Sequence, residues 1–280
     1  MKLSIVISIS GAEFSAVVFK ESHEMAIEKA AKLGYDGVEL AVRDPAIVNI
    51  RRLKDLLEKY NLEVPALGTG QAYGEEGLSL TDPDEHIRKK AIERLESHVK
   101  MASELNSRVI IGLIRGKFSE ILNPTETLNL LKVSVQQLCD QAKKFNVELV
   151  IEPINRYETD LINTVDEALD FMANVNRDNL KILVDTFHMN IEEPSIFDSI
   201  NRAGEKIGHV HIADSNRLAA GRGHIDFKKV IGSLKKVGYN GFLSAEILPK
   251  PTPDEAAKLN YIYMAELLGN ENNTAPGQNL

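Results

Sequence analysis

Short apolar runs alternate with longer amphipathic segments along the whole of this 280-residue chain. A run of about four to eight apolar residues has the length of a buried strand, and apolar positions spaced by three or four residues indicate helices that cover a sheet. Eight such pairs follow one another, which predicts eight βα units around a parallel sheet. The predicted strands are Leu3–Ser8, Gly37–Val42, Glu63–Gly68, Arg108–Leu113, Glu148–Glu152, Lys181–Asp185, His209–Ala213 and Phe242–Glu246.

Proline and glycine mark the ends of several predicted helices. Two long helical patterns, Pro83–Leu105 and Pro124–Phe145, have proline at the first helical position. Asp82 and Asn123 directly precede these prolines and are predicted to be N-caps, because their side chains can accept hydrogen bonds from the first free backbone N–H groups. Gly208 is predicted to mark the return from a helix into the seventh strand, since glycine tolerates the backbone angles of a helix terminus.

The even spacing of the units predicts a single (β/α)8 TIM-barrel domain over residues 1–269. Barrels of this kind routinely reach the length of this chain without a second domain. The competing architecture is an open doubly wound sheet, but the segment Ser8–Gly11 after the first strand does not fit a glycine-rich phosphate loop. Residues 270–280 are rich in asparagine and are predicted to fray.

Composition and charge then narrow the classes of protein. Hydrophobic residues make up 43% and charged residues 26% of the chain, fractions that are ordinary for globular proteins and exclude disordered or fibrous classes. The formal charge of −8 at pH 7 disfavours nucleic acid as a partner, because proteins that bind it normally present a basic face. A small molecule is expected as the ligand instead.

The chain contains neither an apolar run of the roughly 20 residues that a membrane helix needs nor a signal-peptide pattern before its first strand. We therefore expect a cytoplasmic protein with no membrane partner. Its lone cysteine, Cys139, cannot form an internal disulfide and is expected to be a buried thiol. Self-association into a homo-oligomer is left open.

Four consecutive predicted strands, the fifth to the eighth, each end in a side chain that can bind a metal ion. Strand ends converge on one rim of a barrel, and a buried carboxylate or imidazole there is costly unless a cation compensates its charge. Three carboxylates and one imidazole predict a single divalent ion, with Mn²⁺ expected and Mg²⁺ or Co²⁺ as alternatives. The four residues are Glu152, Asp185, His211 and Glu246.

Each of these residues also has a purely structural interpretation. An aspartate at a strand end, such as Asp185, is often a helix N-cap, and a single histidine such as His211 is often a hydrogen-bonded core residue. The recurrence of such residues at four equivalent strand ends favours the metal site over four independent structural roles.

Three further polar residues, Glu158, His188 and Arg217, fall in predicted βα loops near these strand ends. Loops at this rim bind the substrate in barrel enzymes, and hydrogen-bonding groups here match the hydroxyl and carbonyl groups of a sugar. We therefore predict that the three residues bind a sugar-like substrate. The alternative is that each is a solvated loop charge.

Three segments of the chain resemble a known family. The runs Ile151–Thr164, Val184–Glu193 and Gly208–Arg217 are similar to the xylose-isomerase-like barrel family, and in particular to its ketose 3-epimerase branch. The resemblance extends over nearly the whole chain. It implies a TIM-barrel isomerase that epimerises a ketose and binds one divalent metal ion.

The resemblance also implies a role for each candidate residue. Two glutamates would transfer the proton, one removing the hydrogen next to the ketone and the other returning one on the opposite face. A divalent ion would stabilise the enediolate that forms between these steps. The implied catalytic residues are Glu152 and Glu246, the implied metal ligands are Glu152, Asp185, His211 and Glu246, and the implied substrate-binding residues are Glu158, His188 and Arg217.

Five shorter motifs are similar to those branch members that interconvert 5-keto-L-gluconate and D-tagaturonate in inositol catabolism. This similarity implies an acidic ketose, whose carboxylate would need a cationic partner. The motifs are Ala41–Pro45, Gly68–Tyr73, Gly77–Thr81, Asp214–Arg217 and Gly223–Phe227. The cationic residues in or near the rim loops are Arg43, Arg115, Lys117 and Arg222.

Several other activities stay open at the level of the sequence. A free ketohexose 3-epimerase of the D-tagatose or D-psicose type, a hydroxypyruvate isomerase and an inosose dehydratase share the barrel class. A sugar sensor without catalytic activity is the alternative from a different class, and the two acid-base glutamates argue against it. A DNA-repair endonuclease of related fold is disfavoured by the acidic charge.

Overall fold

Eight parallel strands follow one another in chain order around a closed barrel, and the first pairs with the last. The computed structural model describes residues 1–9, 14–20 and 22–269, so the predicted tail 270–280 and part of the segment Ser8–Gly11 lie outside the described residues. The (β/α)8 prediction is confirmed. The strands are β1 (Lys2–Ser8), β2 (Gly37–Ala41), β3 (Ala66–Gly68), β4 (Arg108–Ile111), β5 (Leu149–Ile151), β6 (Leu180–Asp185), β7 (Ile207–Ile212) and β8 (Phe242–Ala245).

Helices follow the strands and bury their apolar stripes against the outer face of the barrel. Three further turns are 3₁₀ helices, at Pro45–Ile47, Leu113–Arg115 and Gly204–Lys206. Within the described ranges, no helix is both long enough and apolar enough to cross a membrane. The α-helices are α1 (His23–Leu33), α2 (Ile50–Tyr60), α3 (Gly70–Glu76), α4 (Glu85–Leu105), α5 (Pro124–Lys144), α6 (Val165–Val175), α7 (Thr186–Glu192), α8 (Ile196–Ala203), α9 (Phe227–Lys236) and α10 (Pro253–Leu267).

The two long predicted helices begin differently. Helix α5 begins at Pro124 as predicted, and Asn123 caps it in a reciprocal pair with the Glu126 side chain. Helix α4 does not begin at Pro83: the side chain of Asp84 accepts from the backbone N–H of His86, so α4 starts at Glu85. The predicted cap, Asp82, instead accepts from the N–H of Asp84 in the preceding turn.

Gly208 does not mark a return from a helix, as the sequence suggested, but lies inside β7. A Cβ atom at this position would come within 2.7 Å of the Lys181 Cβ and 2.9 Å of a Val150 methyl. The register between β6 and β7 shifts beside it. The glycine is therefore required by close contact inside the sheet rather than by a left-handed turn.

The interior of the barrel has two chemically different halves. Successive strand residues alternate between the two faces of the sheet, so only every second residue points inward. On one side, β3 to β6 contribute a separate apolar cluster, which we call the apolar half: Ala66, Ile110, Val150 and Leu183. On the other side, β1, β2, β7 and β8 contribute buried polar residues, which we call the polar half: Ser4, Glu39, His209 and Ser244.

Candidate active site

The four predicted metal ligands converge at the carboxyl ends of neighbouring strands. Asp185 ends β6, His211 lies in β7, and Glu152 and Glu246 directly follow β5 and β8. The Nδ1 atom of His211 is 3.5 Å from Glu152 Oε1, 3.6 Å from Asp185 Oδ2 and 3.9 Å from Glu246 Oε2. The structure thus brings all four side chains to one point at the rim of the barrel.

Two atoms at this point lack the partners that burial normally demands. Within the described part of the chain, His211 Nδ1 and Asp185 Oδ2 are buried and form no hydrogen bond. A buried polar atom without a partner is costly, and a cation among three carboxylate groups would satisfy both atoms at once. The donor set therefore fits one divalent metal ion.

Asp185 combines the two roles that the sequence left as alternatives. Its Oδ1 atom accepts from the backbone N–H of Phe187 at 2.7 Å and of His188 at 3.3 Å, and so caps the start of α7. Its Oδ2 atom faces His211. One oxygen of the carboxylate therefore starts a helix while the other belongs to the cluster.

His188 is a second histidine at the same point. Its Nε2 atom is 3.9 Å from both Glu152 Oε1 and Asp185 Oδ2, and donor atoms of Glu152, Asp185, His188 and Glu246 lie within 4.8 Å of one another. His211 Nδ1 is closer to both of these carboxylates, whereas His188 Nδ1 contacts the side-chain amide of Asn155 at 2.7 Å. The geometry therefore favours His211 as the histidine of the cluster.

Burial and mutual charge set the protonation of the cluster. Burial raises the pKa of Glu246 to about 8, with Glu152 and Asp185 adding to the rise and His211 and Arg217 opposing it. Burial also opposes ionisation of Asp185, but His188, His211 and Arg217 outweigh it and hold the pKa of this carboxyl below its usual range. Burial in the cluster therefore disfavours the ionised form of Glu246.

The pKa of His211 is raised as well, but by neighbouring carboxylates and against the effect of burial. Burial alone would lower its pKa, but the charges of Glu39 and Glu246 outweigh burial and raise the pKa well above its usual value. A metal ion and these protons would compete for the same atoms, because imidazole and carboxylate bind metals only after deprotonation.

Arg217 links the cluster to the loop residues. Its guanidinium donates to Glu246 Oε2 at 2.7 Å and to Glu158 Oε1 at 2.9 Å, and it lies over the rings of Phe14 and Phe187, at 5.1 and 4.8 Å from their centroids. Its backbone has a positive φ of 59°, which places it in the left-handed region. The predicted substrate residues Glu158, His188 and Arg217 thus lie together beside Glu246.

Asn155 is a member of this group that sequence reasoning missed. Its side-chain amide contacts Glu158 Oε1 at 3.0 Å and His188 Nδ1 at 2.7 Å, so it joins the loop after β5 to helix α7, where the structure places His188 instead of in the predicted loop. The available signal was its place three residues after Glu152, within the run Ile151–Thr164 that resembles the family.

Glu39 is the second residue that sequence reasoning missed. It lies in the middle of β2 and is 1% exposed. Burial would raise its pKa, but the neighbouring His211 and the hydrogen bonds from His209 and His211 outweigh burial and hold the pKa below the usual range. The signal in the sequence was a single charged residue among the apolar residues of this strand.

A cavity of about 210 Å³ opens beside the cluster. Among the described residues that line it, Arg217 is the only arginine or lysine. The carboxylates that line it are Glu39, Glu75, Glu152, Glu158 and Glu246. Apolar side chains make up most of the rest of the lining, and its charged residues are predominantly acidic.

The four candidate partners for a substrate carboxylate have different surroundings. Arg115 is fully buried and donates to the backbone carbonyls of Gly112, Leu161 and Ile162, so its guanidinium is already engaged. Lys117 and Arg222 are exposed and outside the cavity lining. The fourth, Arg43, is half-exposed and donates to Glu75 at 3.0 Å, behind the cavity wall.

This fold and this rim of carboxylates and histidines match one family. The family model described as "Xylose isomerase-like TIM barrel" matches residues 27–264, so the chain belongs to that family. The curated relatives are enzymes of one class, carbohydrate epimerases. The expected enzyme class and the resemblance to ketose 3-epimerases are thereby confirmed.

Particular relatives cover most of the chain. The chain is 35% identical over 224 residues to an L-ribulose 3-epimerase of Methylomonas sp. (strain DH-1). The aligned region covers 79% of this chain and 77% of that protein. The chain is 31% identical over 224 residues to a ketose 3-epimerase of Arthrobacter globiformis, with 79% and 76% covered. A crystal structure of D-allulose 3-epimerase from Methylomonas sp. in complex with D-allulose superimposes with a TM-score of 0.79 at 28% identity, over 95% of this chain and 97% of that chain.

Proposed function

We propose that this enzyme inverts the hydroxyl-bearing carbon next to the keto group of a ketose or keto-uronic acid. The observation that carries the proposal is the convergence of Glu152, Asp185, His211 and Glu246 around unpartnered buried atoms. Glu152 and Glu246 directly follow β5 and β8, so the two glutamates approach the same point from different strands. Epimerisation needs two such groups, because the proton leaves one face of the carbon and returns to the other.

The metal ligands in this proposal are Glu152, Asp185, His211 and Glu246, and Mn²⁺ is the proposed ion. A divalent ion bound by these residues would stabilise the negative charge that develops on the keto oxygen as the neighbouring proton is removed. Glu152 and Glu246 then hold and move the proton, one glutamate on each face of the reacting carbon.

The loop residues bind and orient the substrate in this scheme. Glu158 and His188 offer hydrogen-bonding atoms to sugar hydroxyl groups, and the Asn155 amide holds both of them in place. Arg217 compensates the charges of Glu158 and Glu246. Its contacts with two aromatic rings limit the movement of the guanidinium.

The specific reaction that we propose is the interconversion of 5-keto-L-gluconate and D-tagaturonate, a step in inositol catabolism. The motif similarities support it, and one of those motifs, Gly68–Tyr73, supplies several residues of the cavity wall. Arg43 lies in another of the motifs and is close to the cavity through Glu75. It is the candidate partner for the substrate carboxylate.

A neutral ketose is the second candidate substrate, and the charge of the cavity favours it. Five carboxylates and a single guanidinium line the cavity, so an anionic substrate would meet repulsion unless a bound cation or Arg43 compensates it. The relatives at 31–35% identity are named for L-ribulose, for D-psicose and for ketoses in general.

A direct comparison of substrates tests the proposal. The metal-loaded enzyme is assayed with 5-keto-L-gluconate and D-tagaturonate and, in parallel, with D-fructose, D-psicose and D-tagatose, and the products are identified chromatographically. We expect epimers as products and a higher kcat/KM for the two acids. A higher kcat/KM for the neutral ketoses would replace the specific substrate and keep the reaction class, whereas isomers, dehydrated products or binding without turnover would overturn the class.

A further inference from the structure

Glu39 is a buried carboxylate for which the proposed reaction has no direct use. It lies on β2 between Val38 and Leu40, which belong to the core between sheet and helices. Because strand residues alternate, Glu39 points in the opposite direction, into the barrel. Its register partner on β1, Val6, lines the cavity, which places Glu39 at the same level of the interior.

The contacts of Glu39 cross the interior of the barrel. Its Oε2 atom is 2.7 Å from His209 Nε2, and its two oxygens are 3.0 and 3.1 Å from His211 Nε2. Strands β2 and β7 are not neighbours, since β1 and β8 lie between them. These hydrogen bonds therefore hold two histidines of β7 from the opposite wall.

This arrangement decides which nitrogen of His211 faces the carboxylate cluster. With Nε2 bound to Glu39, the atom directed at Glu152 and Asp185 is Nδ1. Nδ1 is also the atom without a hydrogen-bond partner in the described part of the chain. A histidine whose second nitrogen donates to a carboxylate is fixed in ring orientation and tautomer, which is how metal-binding histidines are commonly held.

We infer that Glu39 is a positioning residue that holds the His211 imidazole with Nδ1 directed at the metal ion, and that His209 in turn holds Glu39. The inference rests on the proposed function, in which His211 is a metal ligand. His209 contacts the other side of Glu39 with its ring nearly perpendicular to that of His211, at an interplanar angle of 83°. The carboxylate is therefore clamped between two imidazoles and cannot turn away.

The test compares Glu39→Gln and Glu39→Asp with the wild type and with a matched control, Glu193→Gln. The Glu193 side chain is 2% exposed and accepts hydrogen bonds from the Val165 N–H and the Ser199 hydroxyl, outside the barrel interior. Mn²⁺ affinity is measured by competition with a chelator, and the Co²⁺-substituted proteins are compared by visible absorption. Thermal unfolding of the metal-free proteins shows that each variant is folded.

We expect Mn²⁺ to bind about 10- to 100-fold more weakly to Glu39→Gln, the size of effect that residues supporting metal ligands commonly have. The loss should be smaller for Glu39→Asp, which keeps the charge, and absent for Glu193→Gln. At saturating Mn²⁺, Glu39→Gln should regain most of its kcat, because the glutamates that transfer protons are intact. Should Glu39→Gln fail to fold, Glu39→Asp carries the same comparison.

Two results would overturn the inference while leaving the proposed function in place. One is a Glu39→Gln variant with wild-type Mn²⁺ affinity and an unchanged Co²⁺ spectrum. The other is a second bound ion in the wild type that Glu39→Gln loses, since donor atoms of Glu39, His209 and His211 lie within 4.8 Å of one another. In that case Glu39 would be a ligand itself.

A readout that needs no metal separates this inference from the proposed function. In the metal-free wild type, the His211 Nε2–H that donates to Glu39 should give a slowly exchanging ring signal in ¹⁵N-resolved NMR, and Glu39→Gln should change it. An unaltered signal overturns the inference. A wild type that binds no divalent ion instead overturns the proposed function, and the ring signal is still measured.

Discussion

The apolar and polar halves of the barrel interior are built on the same strand geometry but differ in what they contribute. In the apolar half, Ala66, Ile110, Val150 and Leu183 come from four consecutive strands and contact one another, so the side chains on this side contribute apolar burial. In the polar half, Glu39 and His209 are joined by a hydrogen bond across the interior. The comparison indicates that one half supplies stability and the other holds the site.

The largest expected effect concerns Glu152 and Glu246, the proposed proton-transfer residues at the rim of the barrel. Replacing Glu152 or Glu246 by Gln keeps the shape of the side chain but removes its acid-base capacity, so epimerisation should fall by about 10²–10⁴-fold. Product formation is measured at saturating Mn²⁺, with metal content determined in parallel because both residues are proposed ligands.

Deuterium exchange sharpens this prediction. If one metal-loaded Gln variant still exchanges the hydrogen next to the ketone in D₂O with retained configuration, the remaining glutamate serves that face. Near-normal epimerisation by either variant would contradict the two-glutamate mechanism and leave another proton carrier at the rim.

The second prediction concerns the apolar half. Leu183→Ala should lower the free energy of unfolding by about 2–5 kcal/mol, because the substitution removes buried surface and leaves a cavity that the rigid barrel cannot fill. Urea denaturation measures the loss. The variant should still bind one equivalent of metal, and a variant of normal stability that has lost its metal would contradict the division between the halves.

The third prediction concerns the pH dependence of metal binding. His211 has a raised pKa, and the pKa of Glu246 is raised to about 8, so protons compete with an ion for the donor atoms of these two residues. The Mn²⁺ association constant should therefore increase with pH through the region around 8, where Glu246 releases its proton. Calorimetric titrations in buffers of different ionisation enthalpy would report the released protons, and a constant affinity from pH 6 to 9 would contradict the predicted protonation.

The smallest expected effect belongs to two serines of the polar half. Within the described residues, the hydroxyl groups of Ser4 and Ser244 are buried and form no hydrogen bond, so Ser4→Ala and Ser244→Ala remove polar atoms that contribute little. The free energy of unfolding should change by less than about 1 kcal/mol, or increase. A loss above about 2 kcal/mol would show that these hydroxyls take part in a network through buried water.

The strand order and the four converging residues were predictable from the sequence because both depend on local patterns. Glu152, Asp185 and Glu246 each end an apolar run and His211 lies near the end of one, and the topology of the barrel alone brings such positions together. Glu39 has no such local mark, since its partners are about 170 residues away on a strand that is not its neighbour.

The remaining misses have the same cause. Arg115 looked like a rim cation in the sequence, but its guanidinium is consumed by backbone carbonyls of two loops. Gly208 looked like a return from a helix, but contacts from β5 and β6 require it. In both cases a residue type has several uses, and only the nonlocal packing of the folded chain selects one of them.

The two oxygens of Asp185 contact different parts of the structure, so each substitution at this position affects them differently. Since one oxygen starts α7 and the other faces the cluster, an alanine at this position would disturb a helix and a cation site together, and the position of His188 on α7 with them. Asparagine is as good a helix cap as aspartate but carries no charge. Asp185→Asn should therefore keep the helix cap and remove the negative charge that would bind the cation. It is the substitution best suited to produce an inactive, correctly folded form of the enzyme.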